Sequence, residues 1–124
     1  MSITITGGIT LNGGGWTIVA PPSSYPTQKA IFGYGDSGST TAITNLVSNT
    51  GVVATNTTGV GTARNSLAAA GYGVDLAIFG YGNDTIVGSV SMTNKVSNTG
   101  VVATDTTGVG TARQGLAAAS YGAA

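Results

Sequence analysis

Few side chains in this sequence could carry out acid–base or nucleophilic chemistry. Its 124 residues include 4 acidic and 4 basic groups, and neither His nor Cys occurs. A Cys/His zinc site, a thiol nucleophile and a Ser-His-Asp triad each need one of the missing side chains, so the sequence excludes all three. The acidic groups are all aspartates, at positions 36, 75, 84 and 105, close to Gly, Asn or Thr, where an Asp side chain ordinarily caps a turn.

A pair of aspartates could in principle hydrolyse a glycoside, because that reaction needs only an acid and a base or nucleophile. None of these aspartates lies in a distinctive motif, and Asp105 corresponds to Asn56 in a repeated segment. The stretch Asp105-Thr106-Thr107-Gly108 also has too few ligands for a calcium loop. We therefore expect no catalytic residue, no metal site and no cofactor, and we interpret the protein as a non-enzyme.

Charge and hydropathy limit the partners that the chain could bind. Its formal net charge is zero and its cations are scattered, so the sequence predicts no binding to a run of nucleic-acid phosphates. It contains no run of about 18 apolar residues, so we expect no membrane insertion. Aromatic residues make up only 6% of the chain. A monomer of this size would have a thin core, which favours association.

The elements that must position these side chains come from an internal repeat. Residues 44–73 recur at 93–122 with five differences in 30 positions, and the hexapeptide at 30–35 recurs at 77–82. The second copy is longer by two residues near positions 83–88, which marks a surface turn there. The chain thus divides into residues 1–28 and a repeat region, 29–124, whose two units are 29–75 and 76–124.

Short strands separated by turn residues are predicted throughout each unit. Asn-Thr-Gly at 49–51 and again at 98–100 indicates a hairpin turn. The stretch Leu67–Gly73 could form a helix or a strand. We assign it to a strand, because it is too short for a stable helix. Four strands in each 47 to 49 residues is the period of a β-propeller blade, so the sequence predicts an all-β fold.

The segment from Thr62 to Gly82 resembles a kelch-type propeller blade. In it Arg64 precedes the small-residue strand 67–73, a short turn follows at 74–76, and the strand Ala77–Gly82 carries an aromatic and ends in two glycines. Two features depart from the kelch pattern: the glycines are split as Gly80-Tyr81-Gly82, and the Trp of many later kelch strands is missing. The resemblance implies two four-stranded kelch-like β-propeller repeats in each chain.

Repeats of this kind also resemble those of bacteriophage structural proteins, including tail and fibre proteins. The opening residues 3–11, ITITGGITL, are similar to the starts of small phage structural proteins. This resemblance implies a non-enzymatic virion protein, assembled in the host cytoplasm, in a tail, a fibre or a capsid decoration.

Two alternatives to the virion scaffold stay open. The first is a carbohydrate- or receptor-binding tip that contacts a cell-surface glycan. Its candidate ligand loops are those in which the two units differ most, and they contain Asp36, Ser37, Asn83, Asp84 and Thr85. The second alternative is an engineered or fragmentary repeat protein, which the near-identity of the units suggests.

The register of the repeat predicts head-to-tail association. Strand 116–122 is equivalent to strand 67–73, but no copy of the strand at 77–82 follows it. Strand 30–35 likewise has no clear strand before it. Unpaired edge strands tend to pair with strands of other chains. Two blades cannot close a ring, whereas about four to eight can. We expect a cyclic homo-oligomer, and a trimer rather than a tetramer, because phage fibres are commonly threefold. The strands expected to close it contain Ala30, Ile31, Phe32, Gly33 and Tyr34 of one subunit and Leu116, Ala117, Ala118, Ala119 and Tyr121 of the next.

Residues 1–28 are predicted to form a β-hairpin followed by a Pro-Ser linker. Apolar residues alternate with Thr before the glycines at 13–15, and Trp16–Val19 follows them. Trp16 could pack against the ring, or the hairpin could anchor the chain to another virion protein.

Arg64 and Arg113 occupy equivalent positions in Gly-Thr-Ala-Arg, and we expect both to be structural. A guanidinium has five donors, which suits it to join blade edges through backbone carbonyls or an Asp. Recognition of an anionic sugar is the alternative for these arginines. The tyrosines that recur at 34, 72, 81 and 121 are expected to pack at blade ends, or else to form platforms for sugars.

Overall fold

Every regular element that the structure describes is a β-strand. The computed structural model describes residues 8–12, 15–19 and 28–122, and the predicted all-β class is confirmed for them. The strands are β1 (Gly8–Asn12), β2 (Gly15–Val19), β3 (Ala30–Asp36), β4 (Thr40–Val47), β5 (Ala68–Tyr72), β6 (Leu76–Asp84) and β7 (Gly88–Val96). Nowhere in the described residues is there a helix long and apolar enough to cross a membrane.

β1 and β2 form an antiparallel pair, with Leu11 opposite Trp16. This is the hairpin expected before the repeats. The linker and the segment Ser2–Thr6 lie outside the described residues, and so do the contacts of the Trp16 side chain.

The first unit contains the antiparallel pair β3-β4, and the chain then returns beside β4. A turn at Ser48–Gly51 reverses the chain, with Gly51 at a φ of 82°, in the left-handed region that glycine adopts without strain. Isolated bridges then join Val47 to Val53 and Thr44 to Thr57. The predicted hairpin turn at 49–51 is therefore present.

The second unit repeats this arrangement beside one further strand. β5, β6 and β7 form a three-stranded antiparallel sheet in that order, and bridges join Val96 to Val102 and Thr93 to Thr106. β5 ends the first unit and β6 begins the second, so their pairing crosses the boundary between the units. The strand prediction for Leu67–Gly73 is confirmed by β5. From residue 28 onward the described strands form two small sheets and no closed ring.

The Gly-Tyr-Gly sequence interrupts the regular pairing in both units. The register of β3 with β4 shifts between Gly33 and Gly35, and that of β6 with β7 shifts between Gly80 and Gly82. At each bulge the tyrosine has a φ of 62°, which is costly for a residue with a side chain. Each of these tyrosines stacks against the arginine of its own unit, Tyr34 against Arg64 and Tyr81 against Arg113.

The core lies at the boundary between the units. Its buried members are Tyr34 of the first unit and Phe79, Val96 and Val102 of the second. The rings of Tyr34 and Phe79 meet edge to face, with centroids 5.2 Å apart. The core of the described residues therefore lies where the second unit faces the first.

Candidate functional site

Arg64 lies at the centre of the boundary and is fully buried, with 0% of its surface exposed. Its Nε donates to the carbonyl of Tyr81 at 2.8 Å and its Nη1 to the carbonyl of Thr62 at 3.0 Å. Nη2 donates to Oδ1 of Asn94 at 2.6 Å. The guanidinium also stacks over the Tyr34 ring, 4.4 Å from its centroid. We call Tyr34, the Tyr81 carbonyl, Asn94 and Asp105 the Arg64 site.

Asp105 supplies the negative charge of the Arg64 site. Its Oδ1 lies 3.8 Å from Nη1 of Arg64 and accepts from Asn94, while its Oδ2 accepts from both the amide and the hydroxyl of Thr62. Burial opposes ionisation of this carboxyl, but the hydrogen bonds from Thr62 and Asn94 and the charge of Arg64 outweigh it and lower its pKa. The buried guanidinium is thus both hydrogen-bonded and charge-balanced, which a buried charge requires.

Gly61 allows the units to approach at this site. It has a φ of 76°, and a Cβ there would clash with Oδ1 of Asp105 and the amide of Asn94. The Tyr34 hydroxyl donates to the carbonyl of Val60 at 2.9 Å. Burial raises the pKa of that hydroxyl, against the opposing effect of Arg64.

Arg113 repeats half of this arrangement at an exposed position. It stacks over Tyr81 at 4.2 Å from the centroid and donates to the carbonyl of Thr111 at 3.2 Å. Among the described residues no Asn or Asp side chain accepts from it. Gly110, equivalent to Gly61, has only the Tyr81 hydroxyl near its Cβ position, at 3.6 Å.

The first unit carries a second copy of the acceptor side chains, without an arginine. Asn45 donates to the carbonyl of Ala54 at 3.1 Å and to Oδ1 of Asn56 at 2.9 Å. Asn94 makes the same two contacts, to the carbonyl of Ala103 at 3.0 Å and to Asp105 at 2.8 Å. Asn45 and Asn56 therefore have the geometry of an acceptor for an arginine that the single chain does not provide.

Exposure differs in the same way between equivalent apolar residues. Phe79 is 4% exposed beneath the first unit, whereas its equivalent Phe32 is 62% exposed. Val102 is 9% exposed and its equivalent Val53 is 52% exposed.

These comparisons define two exposed surfaces of the chain. The head face consists of Phe32, Asn45, Val53 and Asn56, and the tail face consists of Tyr81, Val109, Arg113 and residues 116–121.

The predicted ring-closing strands belong to these two surfaces. Ala30, Ile31, Phe32 and Gly33 pair with β4 through one edge of β3, and Tyr34 forms the bulge. The other edge of β3 has no partner strand among the described residues. Leu116, Ala117, Ala118, Ala119 and Tyr121 form no strand, and all but Leu116 are exposed. A single chain does not bring the two segments together.

The candidate ligand loops lie at one edge of the molecule. The hydroxyls of Thr40 and Thr85 are 3.4 Å apart, which places the two variable turns side by side. Asp36 accepts from the amide of Gly38, and Asp84 accepts from the amide of Ile86, so each carboxylate caps its own turn. Asn83 also lies at this edge, on β6, and Ser37 occupies the tip of the first turn.

Sequence reasoning missed Asn94, which completes the contacts of Arg64, and its equivalent Asn45. Their signal was an Asn identical in both units, paired with an acceptor that changes from Asn56 to Asp105. The described residues contain no group of three or more His, Cys, Asp or Glu side chains that could hold a metal. What the arrangement can do chemically is bind a guanidinium and an apolar surface. Comparison with protein-family models, curated proteins and solved structures found no match to the chain.

Proposed function

We propose that the chain is a non-enzymatic structural protein that assembles head to tail with copies of itself into a ring of β-propeller blades. The observation that carries the proposal is the division of one binding arrangement between two exposed surfaces. Arg113 on the tail face has no Asn or Asp acceptor among the described residues, and Asn45 and Asn56 on the head face lack an arginine. At the internal boundary the equivalent residues are joined: Arg64 donates to Asn94 and lies beside the carboxylate of Asp105.

Strand pairing across the internal boundary supplies the register for association. Ala69 pairs with Phe79, and Gly71 pairs with Ala77. The equivalent pairs between two copies are Ala118 with Phe32 and Ser120 with Ala30. This pairing would turn the exposed segment 116–121 into a strand and would cover Phe32. The contact joins unlike surfaces, so it must close by rotation or continue as a filament.

Ring closure follows from the number of blades in each chain. Counting each of the two units as one blade, three copies supply six blades and four copies eight, both within the range of propellers. We favour the trimer and a position on a phage particle, which the resemblance of the repeats supports. In this proposal residues 1–28 attach the ring to another virion protein.

Cysteine cross-linking tests the register directly, because the chain has no cysteine of its own. A chain carrying Ala30→Cys and Ser120→Cys should form a covalent ladder on mild oxidation, since directly opposed side chains lie within disulfide range. The matched control carries Ile31→Cys with Ser120→Cys, which places one sulfur on the opposite face of the strand. Equal cross-linking of both variants, or of neither, would refute the proposed pairing.

A glycan-binding or receptor-binding tip remains the second candidate, and the contact between Thr40 and Thr85 favours it. This contact gathers both variable turns into one surface. Glycan-array binding that is lost when residues 83–88 are replaced by glycine and serine would support it. Wild-type protein that binds no glycan would exclude it.

A further inference from the structure

The boundary between the units encloses a cavity of about 400 Å³, open at one side and lined mainly by apolar groups. Leu46 of the first unit and Leu76 of the second both line it. Its charged lining consists of Lys29 and Asp75, the first and last residues of the first unit. The internal cavity is therefore balanced, with one positive and one negative group.

Head-to-tail association would form an equivalent cavity between copies with a different lining. Lys95 of the tail copy takes the place of Leu46, and Lys29 of the head copy takes the place of Leu76. Gln28 of the head copy takes the place of Asp75. The equivalent positions thus give the cavity between copies two lysines and no carboxylate, and the head copy's Lys29 also lines its own internal cavity together with Asp75.

This change belongs to a wider pattern in the five differences between residues 44–73 and 93–122. Leu46, which Lys95 replaces, contacts Gly100 across the boundary, and Asp105, which replaces Asn56, contacts Thr62. The other differing positions also make cross-boundary hydrogen bonds. Asn65 pairs with Asn83, the Ser66 carbonyl accepts from Gly115, and the Gly71 carbonyl accepts from Ser120. Within 44–73 and 93–122, all five differences thus lie at positions that make contacts across the boundary.

We propose that the cavity between copies binds a small oxyanion, which controls assembly. The inference rests on the proposed head-to-tail association. Two ammonium groups that line one largely apolar cavity repel each other, and repulsion is stronger there than in water. An oxyanion between Lys95 and the next copy's Lys29 converts this repulsion into two charge-assisted contacts. The Leu46 and Leu76 pair at the internal boundary needs no anion, so only the joint between copies responds.

Light scattering at constant ionic strength tests the proposal, with sodium phosphate as the probe and sodium chloride as the reference. Wild-type protein should assemble at about tenfold lower concentration in phosphate, which corresponds to one strengthened charged contact. A chain carrying Lys29→Leu and Lys95→Leu should assemble equally well in both salts. The matched control, Ile86→Asp with Val87→Asp, changes the net charge equally in an exposed turn and should keep the phosphate response.

The outcomes separate this inference from the proposed function. Assembly that depends on ionic strength alone, with no preference for phosphate, would show simple screening and overturn the oxyanion site. A phosphate response that survives the double leucine variant would place the anion elsewhere and overturn it equally. Absence of assembly in every salt, for wild type and variants alike, would refute head-to-tail association itself.

Discussion

Arg64 is the residue through which the two units hold each other. Its guanidinium contacts a carbonyl and an amide side chain of the second unit while it stacks on Tyr34 of the first. Such a buried charge is stable only with all of these partners, because an unpaired buried polar group costs about 1–3 kcal/mol. Arg113 has the same local stacking without the burial, so the pair provides an internal comparison.

We expect Arg64→Ala to destabilise the fold by about 2–4 kcal/mol, since it leaves Asp105 and the Asn94 carbonyl oxygen without their partner. Arg113→Ala should change the unfolding of the single chain by less than about 0.5 kcal/mol, as exposed substitutions usually do, while it weakens assembly. Urea unfolding of both variants at a concentration below assembly measures the difference. Equal costs for the two arginines would contradict the role assigned to the Arg64 site.

Acid should destabilise the joint between the units through Asp105. Its pKa is lowered in the folded state, so the carboxylate contributes stability above its ordinary pKa of 3.8, and this stability is lost as the pH falls through the lower folded value. Asp105→Asn, which copies the natural Asn56, should therefore flatten the acid limb of stability. Denaturant midpoints between about pH 6 and pH 2.5 measure it. Asp84→Asn, in an exposed turn, is the control and should keep the wild-type acid limb.

At the scale of elements, close approach of the units depends on loops that carry glycine. Gly61 and Gly110 have φ values of 76° and 78°, so an added Cβ strains both backbones equally. Only Gly61 faces the side chains of Asp105 and Asn94 across the boundary. Substitution at Gly110 therefore measures the energetic cost of the backbone conformation alone, whereas substitution at Gly61 adds the cost of the steric contact with Asp105 and Asn94.

Gly110→Ala should cost about 1 kcal/mol, the conformational penalty alone. Gly61→Ala should cost a further 1–3 kcal/mol or so, because the added methyl group forces Asp105 and Asn94 apart. Thermal unfolding of the two variants, measured on the unassembled chain, gives the comparison. The account would be wrong if Gly110→Ala were the more destabilising of the two.

The strands could be predicted from sequence because each pattern occurs twice. The turn at 49–51 and the strand at Leu67–Gly73 followed from local residue types. The Arg64 site could not be predicted in full, because Asn94 lies 30 residues from Arg64 and reaches it only through β-pairing of the units. The Gly-Tyr-Gly bulge was also missed, since nothing local indicates that a tyrosine would adopt a positive φ. Segment 116–122 has the same pattern as β5 but forms no strand in the structure, so the local pattern alone does not determine a strand there.

For the whole molecule, the proposed head-to-tail association would give a role to the exposed rings of Phe32 and Tyr121 in a chain with few aromatic residues. Both lie on surfaces whose equivalents are covered at the internal boundary or pair with a neighbouring strand. Association would bury this apolar area and would require only that segment 116–121 become a strand. The virion position and any glycan ligand are further proposals that depend on where such a ring is attached.

Assembly should depend on complementary faces, because tail and head are different surfaces. An Arg113→Ala chain lacks a working tail face and an Asn45→Ala chain lacks a working head face, so each alone should remain largely monomeric. Mixed in equal amounts, they should form a 1:1 dimer through the intact head of the first and the intact tail of the second. Gel filtration with unequal mass tags measures it, and no dimer in the mixture would contradict the pairing of Arg113 with Asn45.

The central claim is that these chains close into a ring, and native mass spectrometry of the untagged protein at micromolar concentration tests it most directly. The account predicts one discrete species, with the trimer at about 36 kDa, three times the 12.0 kDa of the chain. Arg113→Ala should shift the protein to the monomer. A wild-type protein that is monomeric at this concentration would contradict the account.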